Sequence, residues 1–519
     1  MKKFILILLA LVMVVSVFAA CGDAKGDSTP KKTTPKPGGD DTEKVIPEEE
    51  QLNVDIDSID YDGEIVRIVH WGTSKTEFEM KEEDINNDAV NDALYKRNLY
   101  TESDLGITLE FNLENYAYNS VNSFTDRLKA WTEDPNTPVD IIAAQTRMMP
   151  TITIQGYLTD LNVFTDSLDF DKAWWPESSR ELHEIKNNLY FVTGDVSPNL
   201  LRMMTLVFVN KTILEARGYS YEEFMEQIIN YEWTIDDLIT MTEGVWENGA
   251  DANAPGPSED DTFGLATNWY NSDALYSGCG FTFMLPSTAE DQVFRLSADM
   301  PSESVANYVS KMLDWAKTYD AYFGPVGDSM YWKAFQEGRA LFMIDRAHRG
   351  FDLQATEVNF AIIPTPMLNE DQDEYFTTIG NPVTSYGIAS DSEDMDRAAE
   401  TIQVLGYHAF NETTPAIFEV TFKGKFSKDD YTIKMFDIVR ESITFDPGRI
   451  YDSFLAGPDG DQWQYYPPNI VSFTLSGGRD GWTTDKVWTT EFDSAKQKFV
   501  RNLIDEANVK LIEYINSQQ

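Results

Sequence analysis

Cys21 and Cys279 are the two cysteines of a 519-residue sequence. Cys21 sits at the end of an apolar leader, so the body carries one thiol and no internal disulfide can form. Cys279, in Ser277-Gly278-Cys279-Gly280-Phe281, is expected as a small buried residue, because a catalytic thiol needs a base beside it and the sequence shows none. Positive charge is also scarce: 41 Lys and Arg stand against 87 Asp and Glu, a net charge of −46. Phosphate backbones repel such a chain, which argues against nucleic acid as a partner. Four scattered histidines give no support to a zinc site. Asp251-Ala252-Asn253 and Asp459-Gly460-Asp461 have fragments of calcium-loop spacing without the full set of oxygen ligands, so no metal is assigned. Beyond the leader, no apolar run reaches the ~18 residues of a membrane-crossing helix. The sequence has no Gly-Ser-Gly elbow, phosphate loop, histidine-paired nucleophile or internal repeat, so no catalytic residue and no cofactor is assigned.

What is present begins with that leader. Residues 1–21 run from basic Lys2 and Lys3 through apolar Phe4–Val17 to the small pair Ala19-Ala20 and then Cys21, the pattern of an export signal. Its end resembles the bacterial lipobox, with Phe18 where Leu is usual. That resemblance implies cleavage before Cys21 and acylation there, which would hold the protein on the outer face of the cytoplasmic membrane. Residues 22–55 follow as a Gly, Pro, Thr and charge-rich stretch with almost nothing to bury, read as a disordered tether.

The body has the length for two to four domains and a large core. Aromatics make up 13% of the chain, which suits a big core or a surface that stacks on flat ligands. Gly63–Trp71 alternates apolar and polar residues and reads as a first strand. A helix is expected over 84–105, a strand over 107–113, a helix over 120–132 and a buried strand over 139–144. This alternation is that of a parallel α/β sheet. Met203–Val209 reads as another buried strand. Thr234 with Asp237 has the spacing of a capping box, as have Ser390–Glu393 ahead of a helix carrying Met395, Ala398, Ile402 and Leu405. Residues 302–319 are amphipathic, and a long helix is expected over 492–515.

One stretch repeats the logic in miniature. A helical end around Phe335 stops at Gly338. Ala340–Ile344 then reads as a buried strand, 345–350 as a charged loop, and Val358–Ile363 as a second strand that breaks at Pro364 and Pro366. The loop between such strands is where an α/β domain meets a ligand.

Four segments in order resemble the extracellular solute-binding proteins of ABC importers, specifically the carbohydrate-binding, maltose-binding-protein-like group. They are Asp140-Ile141-Ile142 through Gln155–Leu161; Val207–Lys211 with Gly218 and Trp233–Leu238; the Phe335–Pro366 stretch; and Ile388-Ala389-Ser390 with Asp396–Glu400. The resemblance implies a two-lobed periplasmic-binding-protein-like fold of type II, each lobe an α/β sheet flanked by helices, with the ligand in the cleft between them. It places one lobe at 56–203 and 366–412 and the other at 204–365 and 413–519, with crossings near 203–205, 364–366 and 411–414. The implied function is capture of a sugar or oligosaccharide and delivery to the transmembrane subunits of a permease, by a monomer that carries out no chemistry.

Sugars are held by flat apolar faces against ring C–H groups and by planar polar groups on hydroxyls. Trp71, at the end of the first strand, fits a core or a cleft position equally. The resemblance puts ligand contacts at Gln145, Thr146 and Arg147, and an aromatic platform at Trp269 and Tyr270. Where the family often has an aromatic after the strand, this chain has Asp345, Arg346 and His348. They could bind hydroxyls or an acidic sugar, or Asp345 and Arg346 could be a surface pair. Trp482 is a further candidate aromatic, whereas Trp174, Trp175, Trp233 and Trp315 are expected in the core. Two other functions stay open: a surface glycoside hydrolase using two carboxylates, and a binder of peptides or other solutes on the same scaffold.

Overall fold

The computed structural model describes residues 47–72, 77–78, 88–114, 121–134, 137–249, 256–297, 303–325, 328–380, 382–421, 430–451, 475 and 506–518. The leader with Cys21, residues 22–46 of the expected tether, Trp482 and both calcium-like fragments lie outside them. Residues 47–55, expected as disordered tether, are instead packed on the body: Val54 is buried, Asn53 Nδ2 donates to the Ser167 carbonyl at 3.2 Å, and the Ala173 amide donates to the Glu49 carbonyl at 2.9 Å. In chain order the strands are β1 (Glu64–Trp71), β2 (Ile107–Glu114), β3 (Ile141–Gln145), β4 (Thr205–Asn210), β5 (Phe263–Asn268), β6 (Met284–Pro286) and β7 (Phe294–Leu296). They continue as β8 (Ala321–Gly324), β9 (Ala340–Arg346), β10 (Phe360–Ile363), β11 (Thr377–Thr378), β12 (Thr384–Ile388) and β13 (Ile443–Thr444).

Two sheets dominate. The first has the order β12-β3-β1-β2, with β1 parallel to β2 and β3 and β12 antiparallel to β3. The second has the order β10-β4-β9-β5-β8, with β5 parallel to β8 and β9, and β4 antiparallel to β9 and β10. Strands β3, β4, β5 and β10 are buried along their whole length, as strands covered on both faces must be. Side-chain alternation on β1 sends Val66 and Ile68 into one apolar core and Val69 and Trp71 into another. Trp174, Trp175, Trp233 and Trp315 are buried, and so is Cys279.

Local chemistry sets the helix ends. Asp88 accepts from the Val90 and Asn91 amides to start the helix Ala89–Leu105, and Gly106 at φ 65° stops it. The Thr234–Asp237 capping box forms with both halves present. The second expected box does not form. The helix Met395–His408 is capped by Asp394 instead. Ser390 donates its hydroxyl to the Gly156 carbonyl at 2.6 Å, and Ser392 donates to Asp140 Oδ1 at 2.8 Å, so neither is left to cap.

The paths between the sheets also differ from expectation. Past Pro364 and Pro366 the chain stays against the second sheet's helices: Met367 bridges Thr234, and the Tyr375 hydroxyl donates to the Ile228 carbonyl at 2.9 Å. It turns toward the first sheet at Ile379, which bridges Met204, and at Gly380, whose amide donates to the Met203 carbonyl at 2.7 Å. Around Asn411–Thr414 the backbone is helical, a π-type turn Ala409–Thr413 running into the helix Thr414–Thr421. The helix Glu506–Gln518 touches both regions. Asn508 Oδ1 accepts from the Val293 and Phe294 amides, and the Tyr514 hydroxyl donates to the Leu158 carbonyl at 3.3 Å.

No described helix is long and apolar enough to cross a membrane. Among the described residues, no group of three His, Cys, Asp or Glu could hold a metal ion.

Candidate functional site

The end of β9 builds the centre of the site. Asp345 and Arg346 were expected in a loop, but antiparallel pairing with Leu206 and Thr205 of β4 keeps both in the strand. The strand closes as the Ala347 amide donates to the Met204 carbonyl and the His348 amide to the Arg202 carbonyl. A short helix, Arg349–Leu353, follows.

Strand alternation sends the two side chains to different surroundings. Asp345 is 1% exposed and fully engaged. Its Oδ1 accepts from Asn271 Nδ2 at 2.8 Å and from the Arg346 amide at 2.7 Å. Its Oδ2 accepts from the Tyr331 hydroxyl at 2.9 Å and from Arg349 Nε at 3.0 Å. The Arg349 guanidinium lies over the Trp332 ring, 4.6 Å from its centre. Asp345 therefore fastens the segment after β5, the helix Met330–Gln336 and the turn after β9 to one another. It is a buried hub and not the partner of the Arg346 side chain.

Arg346 faces the other way. Its guanidinium lies over the Tyr270 ring, 5.0 Å from the centre. Nη1 meets Met203 Sδ at 3.9 Å, and Nε is buried without a hydrogen-bond partner. A Cβ at residue 380 would lie 3.0 Å from Arg346 Cδ and Nε, so Gly380 is what gives this side chain room. Tyr270 and Trp269 follow β5 and meet edge to face at 5.8 Å, both half-buried. The buried Asn268 just before them keeps its Nδ2 without a partner. Nearby, Arg449 Nη2 pairs with Asp273 Oδ2 at 3.2 Å. Burial pushes the Asp273 carboxyl up, while Arg449 and Arg346 pull it down.

His348 is mostly buried and its Nδ1 has no partner. Burial, helped by the charges of Arg349 and Arg346 and opposed by Asp345, holds its pKa down at about 4, so the ring is neutral at pH 7.

The first sheet contributes the ends of β1 and β3. Trp71 is 4% exposed, and its indole Nε1 donates to Thr384 Oγ1 at 2.9 Å. Gln145 is buried opposite Thr384 on β12. Thr146 Oγ1 shares a 2.8 Å hydrogen bond with Ser385 Oγ. Arg147 is half-buried and lines a small cavity of about 30 Å³ with Thr378, Gly380, Asp446 and Arg449, room for a single water-sized group. Through Gly380 this cavity adjoins Arg346. The structure thus gathers Arg147, Trp269, Tyr270, Asp345, Arg346 and His348 into one neighbourhood. It sets Trp71 and Gln145 behind them, packed around Thr384.

Sequence reasoning missed Asn271, Tyr331, Arg349 and Arg449. Arg349 lies four residues after Asp345, a spacing that could have linked the two had the turn been read as helical.

A larger cavity of about 570 Å³ shares Thr444 and Phe445 with the small one and is lined by Trp175, Glu177, Asp195, Tyr375 and Arg440 among others, and by none of the residues expected to bind ligand. Its Asp195 is engaged: Arg440 Nη2 meets Asp195 Oδ2 at 2.7 Å, and Thr414 donates to the same oxygen at 2.9 Å, while Glu177, Glu374 and Glu441 also line the cavity. Around Arg346, buried polar atoms without a hydrogen-bond partner cluster: Arg346 Nε, Asn268 Nδ2 and His348 Nδ1.

Comparison with known proteins agrees with the geometry. The family model described as bacterial extracellular solute-binding protein matches residues 100–406. A cyclo/maltodextrin-binding protein complexed with maltotetraose superposes with a TM-score of 0.53 at 14% identity, covering 85% of this chain and 98% of its own. The maltose-binding periplasmic protein MalE of Listeria monocytogenes, in complex with maltose, gives 0.52 at 12% identity, covering 85% and 99%. An ABC substrate-binding protein of the same organism in complex with cycloalternan gives 0.50 at 12%, covering 84% and 99%. At these identities the likeness is one of fold, and the fold is the two-lobed α/β architecture the sequence led us to expect. No curated protein matches the chain.

Proposed function

The chain belongs to the bacterial extracellular solute-binding protein family, and from that premise we propose that it captures a sugar or oligosaccharide between its lobes and delivers it to the transmembrane subunits of an ABC importer. One observation carries the reading to this site: the half-buried pair Trp269–Tyr270 lies beside the Arg346 guanidinium at the end of β9. A flat aromatic face beside a planar set of donors is what a pyranose requires, apolar contact for its C–H face and hydrogen bonds for its hydroxyls. Arg147, across the small cavity by Gly380, supplies a second planar donor from the first sheet. Asp345 and His348 shape this wall from behind. Trp482 completes the proposed aromatic set.

The reading assigns binding and no catalytic step. The leader and its resemblance to a lipobox support acylation at Cys21, which would tether the protein on the outer face of the cytoplasmic membrane within reach of a permease. Replacing Cys21 by Ser is expected to move the protein from the membrane fraction to the medium.

The test of function is thermal and chemical stability against a panel of neutral oligosaccharides, uronides and peptides. A ligand at about 100 times its dissociation constant adds about 2.7 kcal/mol. Stabilisation by a carbohydrate supports capture. Stabilisation by a peptide, with none by any carbohydrate, overturns it.

A further inference from the structure

Arg346 stands out against its own surroundings. The chain has more than twice as many acidic as basic residues, 87 against 41, so a cation in it seldom lacks a carboxylate neighbour. The neighbouring arginines follow this pattern. Arg449 pairs with Asp273 at 3.2 Å, and Arg349 with Asp345 at 3.0 Å and Asp352 at 3.1 Å. Both carboxylates nearest Arg346 are thus committed to other guanidiniums. Among the described residues Arg346 has no ion pair. Its side chain meets only a thioether, the Tyr270 ring and the backbone at Gly380, and its Nε is shielded with no acceptor. Nε is enclosed against Gly380, so the edge left for a ligand is that of Nη1 and Nη2, which finds a weak thioether contact and no oxygen acceptor among the described residues.

The guanidinium is also held in place. Gly380 admits the side chain on one side, and the Tyr270 ring supports it on the other. A guanidinium fixed in this way presents a rigid fork of donors. The acceptor that matches such a fork is a carboxylate, which takes two parallel N–H bonds and adds the direct ion pair that Asp273, engaged with Arg449, does not make. Next to it stand the half-buried rings of Trp269 and Tyr270, the latter with one face against the guanidinium.

We infer that Arg346 receives a carboxylate of the ligand, so that the captured carbohydrate is an acidic one, a uronide or oligouronide. This rests on the sugar-capture reading and narrows it. A surface carrying −46 net charges repels such a ligand at a distance, so its recognition depends on a short-range contact of this kind inside the cleft.

Isothermal titration of the full chain with short oligouronates tests this, with galacturonate, guluronate and glucuronate types each compared with its neutral methyl ester and with maltotriose. The expected result is saturable binding of at least one oligouronate, with its ester weaker by about tenfold or more. Arg346→Gln is expected to lose a similar factor for the acid and little for the ester, and Arg346→Lys to fall between. The acid-against-ester comparison uses the unaltered protein and stands even if a variant folds poorly. A neutral sugar bound as tightly as every acid, or equal weakening of acid and ester by Arg346→Gln, overturns the inference and leaves sugar capture standing. Absence of binding to every acidic and neutral sugar overturns both.

Discussion

Asp345 and Arg349 are four residues apart, and Arg349 Nε reaches Asp345 Oδ2 at 3.0 Å across the turn that ends β9. The carboxylate is buried and receives three further donors, from Tyr331, Asn271 and the Arg346 amide. Taking away one member of a buried pair leaves the other charged and uncompensated. Asp345→Ala is therefore expected to cost about 3 kcal/mol of unfolding free energy, read from urea denaturation. Sugar affinity should fall as well, because Tyr270 and Arg346 are positioned by segments that this carboxylate ties together. A loss below about 0.5 kcal/mol, the range of an exposed pair, would show that the hub does not hold the wall.

Acid should destabilise the fold through histidine. His183 is buried against Phe191 and Phe445, and burial holds its pKa down at about 3. The unfolded chain takes up a proton near pH 6.5 that the folded chain refuses. Stability is thus fully present above about pH 6.5 and is lost as pH falls toward 3, by about 1.4 kcal/mol per pH unit for this one proton. His348, held at about 4, acts in the same direction over a narrower window. Urea denaturation of the wild type and His183→Gln at pH 7.5, 6 and 4.5 checks this. The variant should lose less stability than the wild type between pH 6 and 4.5, and parallel pH profiles would refute the assignment.

Much of the fold was legible because its strands are buried runs with little else to do. Met203–Val209 became β4 (Thr205–Asn210), and the run expected over 139–144 became β3 (Ile141–Gln145). Strand β5, Phe-Gly-Leu-Ala-Thr-Asn, gave no such signal. Its Gly264 and small residues suit close packing, where a Cβ at 264 would sit 2.4 Å from Thr242, and they do not form an apolar run. The site was half legible. Residue type and the family resemblance drew attention to Tyr270 and Arg346. The commitment of Asp345 to Arg349 depends on helix Met330–Gln336 and Asn271 arriving from elsewhere in the chain, which one sequence does not reveal. The missed cap at Asp394 has the same origin, since Asp140 and Gly156 draw off the serine hydroxyls.

Tyr270 and Trp71 should separate binding from stability. Tyr270 is half-buried and supports the Arg346 guanidinium. Tyr270→Ala removes a stacking face and the cation–π contact, which together contribute about 1–2 kcal/mol. Affinity for the sugar is expected to drop about tenfold, with little change in urea midpoint. Trp71→Phe should behave in the opposite way. It deletes the buried Nε1 donor to Thr384 Oγ1, the hydroxyl that also hydrogen-bonds Glu77, at a cost of about 1 kcal/mol in stability. Calorimetry and denaturation of the two variants in parallel give the answer. An affinity loss in Trp71→Phe equal to that in Tyr270→Ala would move Trp71 from the core into the cleft.

Gly380 sets the position of Arg346 from the opposite side. Its backbone lies outside the left-handed region, so alanine there meets no conformational strain. What a methyl group meets is Arg346 Cδ and Nε at 3.0 Å and the Met203 carbonyl at 3.4 Å. A flexible arginine gives way more easily than a backbone carbonyl, so the guanidinium should move off the Tyr270 ring while the Gly380–Met203 hydrogen bond of the crossing segment persists. Gly380→Ala is therefore expected to keep its stability to within about 1 kcal/mol, because reduced freedom of the unfolded chain offsets part of the crowding. Affinity should fall several-fold, and in the manner of Arg346→Gln, more for a charged ligand than for a neutral one. Gly380→Ala combined with Arg346→Gln should then be no weaker than Arg346→Gln alone, since both act through the same guanidinium. Full additivity of the two losses would mean that Gly380 acts on binding through the crossing segment and not through Arg346.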